Sequence, residues 1–501
     1  MDSHADVAQL VAHHLAKVRV ASSSLVIRSK DEEAAVFTLL PLFSYPHDIL
    51  EDTMSHSAPS PAPASAMPTR DESRRGNART TRFDERFPWV SWALWPLAIL
   101  TALHKIWASY ESGTTDDFTT VWEAVNRFWS GVPVYSEDYT TTDPHYLYLP
   151  GGTMLLSPLS ALGSFEAART LYIFGNAIAI VIALGILSHI IYTARGWSKT
   201  WLGSLSGALW PLSIVAVFNT EAVQNNLLFA NINGVLLLLA TLFLYFLLRG
   251  GTTSQVFSGL ALGLAITIKP QFVVLLFLPF FRRQWLSLVA ALLLPIACNV
   301  VGWTLMAEPQ GFFDNLVPYL GEVRDFANSS IVGVGVYFGA STATIWFWRI
   351  LAAVLVLIGA FTLLPWRNST RPGDRAMWAF TTSSLLLIGV FLVSSLGQMY
   401  YSLLIVPLLF TALLRRSTMH NPVAWLGVYL CLAIDSWYSD QWFWAGRIFE
   451  TLRGTVGWML LLISITISAL IWFLNRSTPS ISGGRHRKPA EENKTQAWKG
   501  E

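Results

Sequence analysis

Charge is scarce in this 501-residue chain: Asp, Glu, Lys and Arg supply 13% of it, whereas 53% is hydrophobic. With a mean hydropathy of +0.44, the chain is far too apolar for a soluble domain. Cysteine is nearly absent. The two present, Cys298 and Cys431, both lie inside apolar runs, which argues against a disulfide framework or a thiolate metal site. Metal-ligand spacing is missing, as is any nucleotide-binding loop at the start of a soluble domain, so neither a metal nor a cofactor is expected. The first long apolar segment begins only near Pro88, so no cleavable signal sequence is expected. A net charge of +2, from 34 basic and 32 acidic residues, gives no reason to expect nucleic-acid binding.

What the chain has instead is long apolar runs, such as 171–191, 227–248 and 285–306, each long enough to cross a bilayer. Spans are expected at 88–109, 168–192, 200–218, 227–249, 255–268, 270–281, 285–306, 343–365, 377–396, 399–414, 421–436 and 455–474. The expected fold is therefore an all-α polytopic membrane protein of about twelve membrane helices, some short or re-entrant. Loops that carry Arg195, Arg249, Arg282-Arg283, Arg367, Arg371, Arg375 and Arg415-Arg416 then share one side, which the positive-inside rule makes cytoplasmic. Residues 1–87 read as a cytoplasmic, largely disordered extension, rich in Ser, Ala, Pro and Arg over 55–82. Residues 88–475 form the membrane domain, and 476–501 a basic cytoplasmic tail.

The run 255–281 admits two readings. It is either a hairpin of two short helices turning outside at Lys269-Pro270, or one kinked helix with Lys269 near the membrane centre. Only the hairpin keeps the later loop charges in phase.

Three constellations could carry chemistry, and all fall on the outer side. The long loop 110–150 begins with Asp116-Asp117-Phe118 and leads into 121–129, which has helical spacing. Asp116 suits a helix cap, and Asp117 a general base. Pro158 interrupts an apolar stretch that reads as interfacial or re-entrant. A second cluster, 219–226 with 231–234, holds Asn219, Glu221, Gln224, Asn225, Asn226, Asn231 and Asn233; amides there serve helix packing, a sugar pocket, or both. The third is cationic: Lys269, Arg324 and Arg349 depart from the positive-inside trend, and a lipid phosphate would partner them. Arg349 can also be explained by snorkelling.

Asp116-Asp117-Phe118, 131–135 and 143–152, in this order, resemble the polyprenyl-phosphate-sugar-dependent membrane glycosyltransferases of fold class GT-C. Within them the likeness is greatest to the α-(1→3)-arabinofuranosyltransferases of actinobacterial cell-wall synthesis. Supporting stretches are Thr220-Glu221, 231–234, Lys269-Pro270, 328–339 and 398–402. The resemblance spans about 88–474 and leaves out 1–87. One departure is Tyr148-Leu149-Pro150, where the broader superfamily often has Tyr-Pro-Pro. The resemblance implies a decaprenylphosphoryl-arabinofuranose donor and an arabinan acceptor of arabinogalactan or lipoarabinomannan. It also implies α-(1→3) branching with inversion, Asp117 as the base, and a site on the extracytoplasmic face of the cell membrane with both termini cytoplasmic. Lys269, Arg324 and Arg349 become candidate donor-phosphate ligands. His145, Tyr146, Tyr148, Glu221, Asn225, Asn231 and Asn233 become candidate sugar or acceptor contacts. A mannosyltransferase of the same superfamily is the rival enzyme. A lipid-linked-sugar flippase is the rival from another class, and would show polar residues across both membrane halves and internal repeats.

Overall fold

A computed structural model describes residues 88–112, 116–141, 144–198 and 200–477. The N-terminal extension 1–87, Asp143, the side chain of Asp116 and the tail beyond Ser477 lie outside the described residues. Helix is the only regular structure among those described. The helices are α1 (Pro88–Glu111), α2 (Asp116–Trp129), α3 (Pro150–Leu156), α4 (Phe165–Ala194), α5 (Trp201–Leu205) and α6 (Leu209–Phe218). Then come α7 (Glu221–Leu228), α8 (Asn233–Arg249), α9 (Thr252–Ile268), α10 (Phe277–Phe281), α11 (Trp285–Leu305) and α12 (Val317–Leu320). The last are α13 (Ile331–Tyr337), α14 (Thr342–Leu363), α15 (Pro372–Val393), α16 (Val406–Phe410), α17 (Pro422–Leu432) and α18 (Phe443–Ser477).

Among the described residues, five helical segments are long and apolar enough to cross a membrane: Phe165–Ala194, Trp285–Leu305, Thr342–Trp366, Pro372–Val393 and Phe443–Arg476. Each contains most of a span expected from sequence. In α15, 89% of the apolar window is buried against protein, compared with 22% in α11 and in the α14 segment, so α15 is an inner helix and the other two are peripheral. Six further apolar segments among the described residues are only 10–17 residues long.

Several expected spans are broken, for local reasons. The run 200–218 divides into α5 and α6 around Gly207, where a Cβ would collide with the Tyr192 ring. The run 227–249 breaks after α7 at Ala230, whose φ of 47° is left-handed. There the Asn231 side chain takes over a backbone partner, accepting from Asn233 N at 3.2 Å. The run 399–414 is a 3-10 segment, Met399–Ile405, followed by α16. The final helix starts at Phe443, twelve residues before the expected 455, and is 35 residues long. Pro158 lies in a 3-10 turn, Ser157–Leu162, directly after α3.

The chain does reverse at Lys269-Pro270. Lys269 Nζ bonds Asn233 Oδ1 at 2.8 Å, at the first residue of α8. After the 3-10 segment Pro270–Leu276 and α10, Gln284 Nε2 donates to Leu247 O at 3.0 Å, near the last residue of α8. The two contacts mark opposite ends of α8, so α9 and the segment after it form a hairpin rather than one kinked helix. Pro270 is the cause, because it has no N–H to continue the helix.

The loop carrying residues 144–149 is pinned through α3. Gly151 N donates to Asn299 Oδ1 on α11 at 3.0 Å, and a Cβ on Gly151 would lie 2.8 Å from the backbone of Cys298 and Asn299. Only a glycine allows this approach.

Candidate active site

The first turn of α2 is fixed by Phe118, fully buried with its ring 5.0 Å from Tyr172 and 5.5 Å from Phe165 on α4. Asp117 precedes it and is only partly covered. Its Oδ2 accepts from Asn231 Nδ2 at 2.8 Å and from the Tyr400 hydroxyl at 2.8 Å. Among the described residues, Asp117 Oδ1 accepts no hydrogen bond. Two donors on one oxygen hold the carboxylate plane and leave the other oxygen available.

Asn231 joins this carboxylate to a cation. Its Oδ1 accepts from Lys269 Nζ at 3.4 Å, while Lys269 makes its shorter bond, 2.8 Å, to Asn233 Oδ1. A carboxylate on one side and an ammonium on the other fix which end of the Asn231 amide is oxygen. The Asn233 amide is held in turn: its Nδ2 donates to Asn226 Oδ1 at 2.8 Å, and Asn226 Nδ2 reaches Tyr400 O at 3.1 Å. Asn226 and Asn233 are fully buried and mutually satisfied, as buried amides must be. Lys269 Nζ also stands 4.6 Å from the centre of the Tyr401 ring, a cation–π contact. The structure thus brings Asp117, Asn231, Asn233 and Lys269 into one network.

Other candidates have different settings. His145 Nδ1 lies 3.5 Å from Glu137 Oε2, its Nε2 is 3.1 Å from Thr141 O, and its ring meets Tyr319 edge-on at 4.9 Å. Tyr146 is fully buried and donates to Thr153 Oγ1 at 2.8 Å. Glu137 organises this loop, pairing with Arg127 and accepting from Tyr146 N at 3.1 Å. The Tyr148 carbonyl accepts from the Tyr135 hydroxyl at 3.0 Å, and the Tyr148 side chain is close enough to feel the charge of Asp117.

Arg324 rests its guanidinium 5.4 Å from the Phe326 ring and has no carboxylate partner among the described residues; its charge reaches Tyr401, beside Lys269. Arg349, the third expected phosphate ligand, is held by protein contacts. Its Nη2 donates to Val393 O at 2.6 Å, at the end of α15, and its guanidinium lies 4.8 Å from the Trp346 ring. A cation favours the carbonyl end of a helix, which explains its position. Glu221 and Asn225, expected as sugar or acceptor contacts, bond to each other and to an arginine. Asn225 Nδ2 donates to Glu221 Oε1 at 3.1 Å, and Glu221 pairs with Arg453. Arg453 is buried and also binds Glu450 at 2.7 Å and Ala433 O at 3.1 Å. An ion pair at low exposure satisfies both charges but leaves little of Glu221 to offer a substrate.

The residues that sequence reasoning did not single out are Tyr400, Gln398, Glu137 and Arg453. The Tyr400 hydroxyl abuts Gln398 Oε1 as well as Asp117. The stretch 398–402 stood out, yet nothing in it singles out one tyrosine of 15 in the chain. Among the described residues, no three His, Cys, Asp or Glu side chains converge as a metal site.

The model of glycosyltransferase family 87 matches residues 146–395, which include Asn231, Asn233 and Lys269. The α-(1→3)-arabinofuranosyltransferase of Corynebacterium glutamicum is 44% identical over 391 residues, covering 77% of this chain and 90% of that protein. Proteins with the same description from Mycobacterium tuberculosis H37Rv and Mycolicibacterium smegmatis are 43% and 39% identical, covering 75% and 74% of this chain and 84% of each relative. With its apolar helices and its polar network drawn from four separate segments, the chain belongs to glycosyltransferase family 87 and is a membrane glycosyltransferase.

Proposed function

We propose that this protein transfers D-arabinofuranose from decaprenylphosphoryl-arabinofuranose to an arabinan acceptor, forming α-(1→3) branches of arabinogalactan or lipoarabinomannan on the extracytoplasmic face of the cell membrane. The shared name of the relatives supports the sugar and the linkage. The observation that carries the chemistry is the Asp117–Asn231–Lys269 chain, in which a carboxylate and an ammonium flank one amide.

Displacement at an anomeric carbon needs a base for the incoming hydroxyl and positive charge for the departing phosphate. Asp117 Oδ1 takes the proton of the acceptor hydroxyl as its oxygen bonds to the anomeric carbon from the face opposite phosphate. The bond from that carbon to the phosphate oxygen breaks, and the phosphate leaves with the electron pair. Lys269 and Arg324 stabilise its charge. Attack from the opposite face inverts the configuration, and a phosphate leaving group requires no general acid. Asn231 keeps base and cation at a fixed separation, so neither collapses onto the other as a direct ion pair.

The test is transfer by purified full-length protein, offered lipid-linked arabinosyl and mannosyl donors with a synthetic arabinan. Arabinose transfer with a new α-(1→3) linkage by NMR is the expected result. Mannose transfer in its place would overturn the sugar assignment.

A further inference from the structure

At the end of α8 opposite Asn233 lies a second polar site. Since α8 has 17 residues, it is about 25 Å from Lys269 along the helix, at about 1.5 Å per residue. A cavity of about 410 Å³ opens there, lined among others by His189, Thr200, Trp201, Tyr245, Arg249 and Arg375. Its volume is that of an ordinary small-ligand pocket. The polar wall is preorganised: His189 stacks on Trp201 with ring centres 3.8 Å apart, and its Nδ1 is 3.0 Å from Ser204 Oγ. Arg249 Nη1 donates to the Tyr245 hydroxyl at 2.8 Å.

The charge balance at this end is one-sided. Arg375 has no ion-pair partner among the described residues, and its charge is felt by Arg282, also a cation. Arg282 Nε and Nη1 are buried without any hydrogen-bond partner. Burial, and then the neighbouring Arg375, pull the Arg282 guanidinium down from its ordinary pKa. Arg367 comes close as well, donating to Phe281 O at 3.0 Å. The nearby carboxylate, Asp374, is already engaged by Arg416 at 3.0 Å and Ser369 at 3.3 Å. Arg249 and Arg375 thus line one cavity with no carboxylate among its lining residues, while two nitrogens of the neighbouring Arg282 lack a partner, and such a concentration of positive charge favours an anion to share. A phosphate supplies several acceptor oxygens, and guanidinium binds it in a forked, bidentate manner. Basic pockets between membrane helices bind phospholipid head groups by the same chemistry.

We propose that this cavity is a phosphate-ester site, which holds the head group of an anionic lipid at the end of the bundle opposite Asp117. It is separate from the transfer site and anchors α4, α8 and α15, which meet around it. The probes are phosphatidylglycerol, phosphatidylcholine and inorganic phosphate, titrated into delipidated full-length protein in detergent and counted by native mass spectrometry. One phosphatidylglycerol should be retained per chain and phosphatidylcholine should not. Arg375→Gln and Arg249→Gln should each weaken retention about ten-fold or more, the loss of one charge-assisted bond. Arg375→Lys, which keeps the charge, should stay closer to the parent and shows that the pocket still folds. Arg476→Gln, a basic residue that does not line the cavity, should change nothing. Displacement by millimolar inorganic phosphate would show that the phosphate group alone is recognised, and no displacement that the lipid is. Equal retention of both lipids, or equal losses for Arg375→Gln and Arg476→Gln, would overturn the proposal.

Discussion

Replacing Asp117 by Asn isolates the base from everything else at the site. Asn231 Nδ2 and the Tyr400 hydroxyl both donate to the Oδ2 position, so the new amide must place its carbonyl oxygen there. Its NH2 then occupies the Oδ1 position, where a proton acceptor is required. The variant therefore presents a donor to the incoming hydroxyl and cannot take its proton. Loss of a general base lowers turnover by about 10²- to 10⁴-fold, or roughly 3–5 kcal/mol of transition-state stabilisation. The two existing hydrogen bonds survive, so thermal unfolding should move little. Asp117→Ala differs, because it strands two buried donors at roughly 1–3 kcal/mol each. The assay is initial-rate transfer from a radiolabelled arabinosyl lipid at saturating donor, with melting temperature measured in parallel. Transfer by Asp117→Asn within about three-fold of the parent, with an unchanged melting temperature, would refute the assignment of Asp117 as base. Abolition by Asp116→Asn alone would move the role to its neighbour.

Lys269→Met keeps length and apolarity but removes the charge; it should raise donor KM and lower transfer while protein yield persists, and Lys269→Arg should recover part of the loss. Normal donor dependence with lost expression would make Lys269 structural. Arg453→Met leaves Glu221 and Glu450 without their shared cation in a buried setting and should destabilise the fold by roughly 3–5 kcal/mol, read as a large fall in melting temperature. Glu221→Gln, by contrast, should leave acceptor KM unchanged, and a raised KM would return Glu221 to the substrate site. For sidedness, a single cysteine at Ala327 should react with an impermeant maleimide from outside whole cells and one at Gly373 should not; reaction at Gly373 would invert the orientation. Cys298 and Cys431 are buried and give a low background.

The apolar runs and the prolines were enough to place the five long apolar helices and the turn at Lys269, because a membrane imposes length and polarity on each segment separately. Asp117, Asn231, Asn233 and Lys269 were visible for a related reason: polar groups are conspicuous in such a background. Their partners were not. Tyr400 reaches Asp117 across 283 positions and Arg453 reaches Glu221 across 232, and neither pairing leaves any local trace. The contacts of Glu221 and Asn225 were also hidden, because a charge and an amide near a span look alike in sequence whether they meet a substrate or an arginine. Breaks such as Ala230 were equally hidden, since they depend on a side chain replacing a backbone partner. Sequence thus determined which residues are polar where polarity is costly, and hence the candidates. Only the tertiary structure decided which of them pair with one another and which oxygen of Asp117 remains free, because hydrogen-bond satisfaction is a property of neighbours in space.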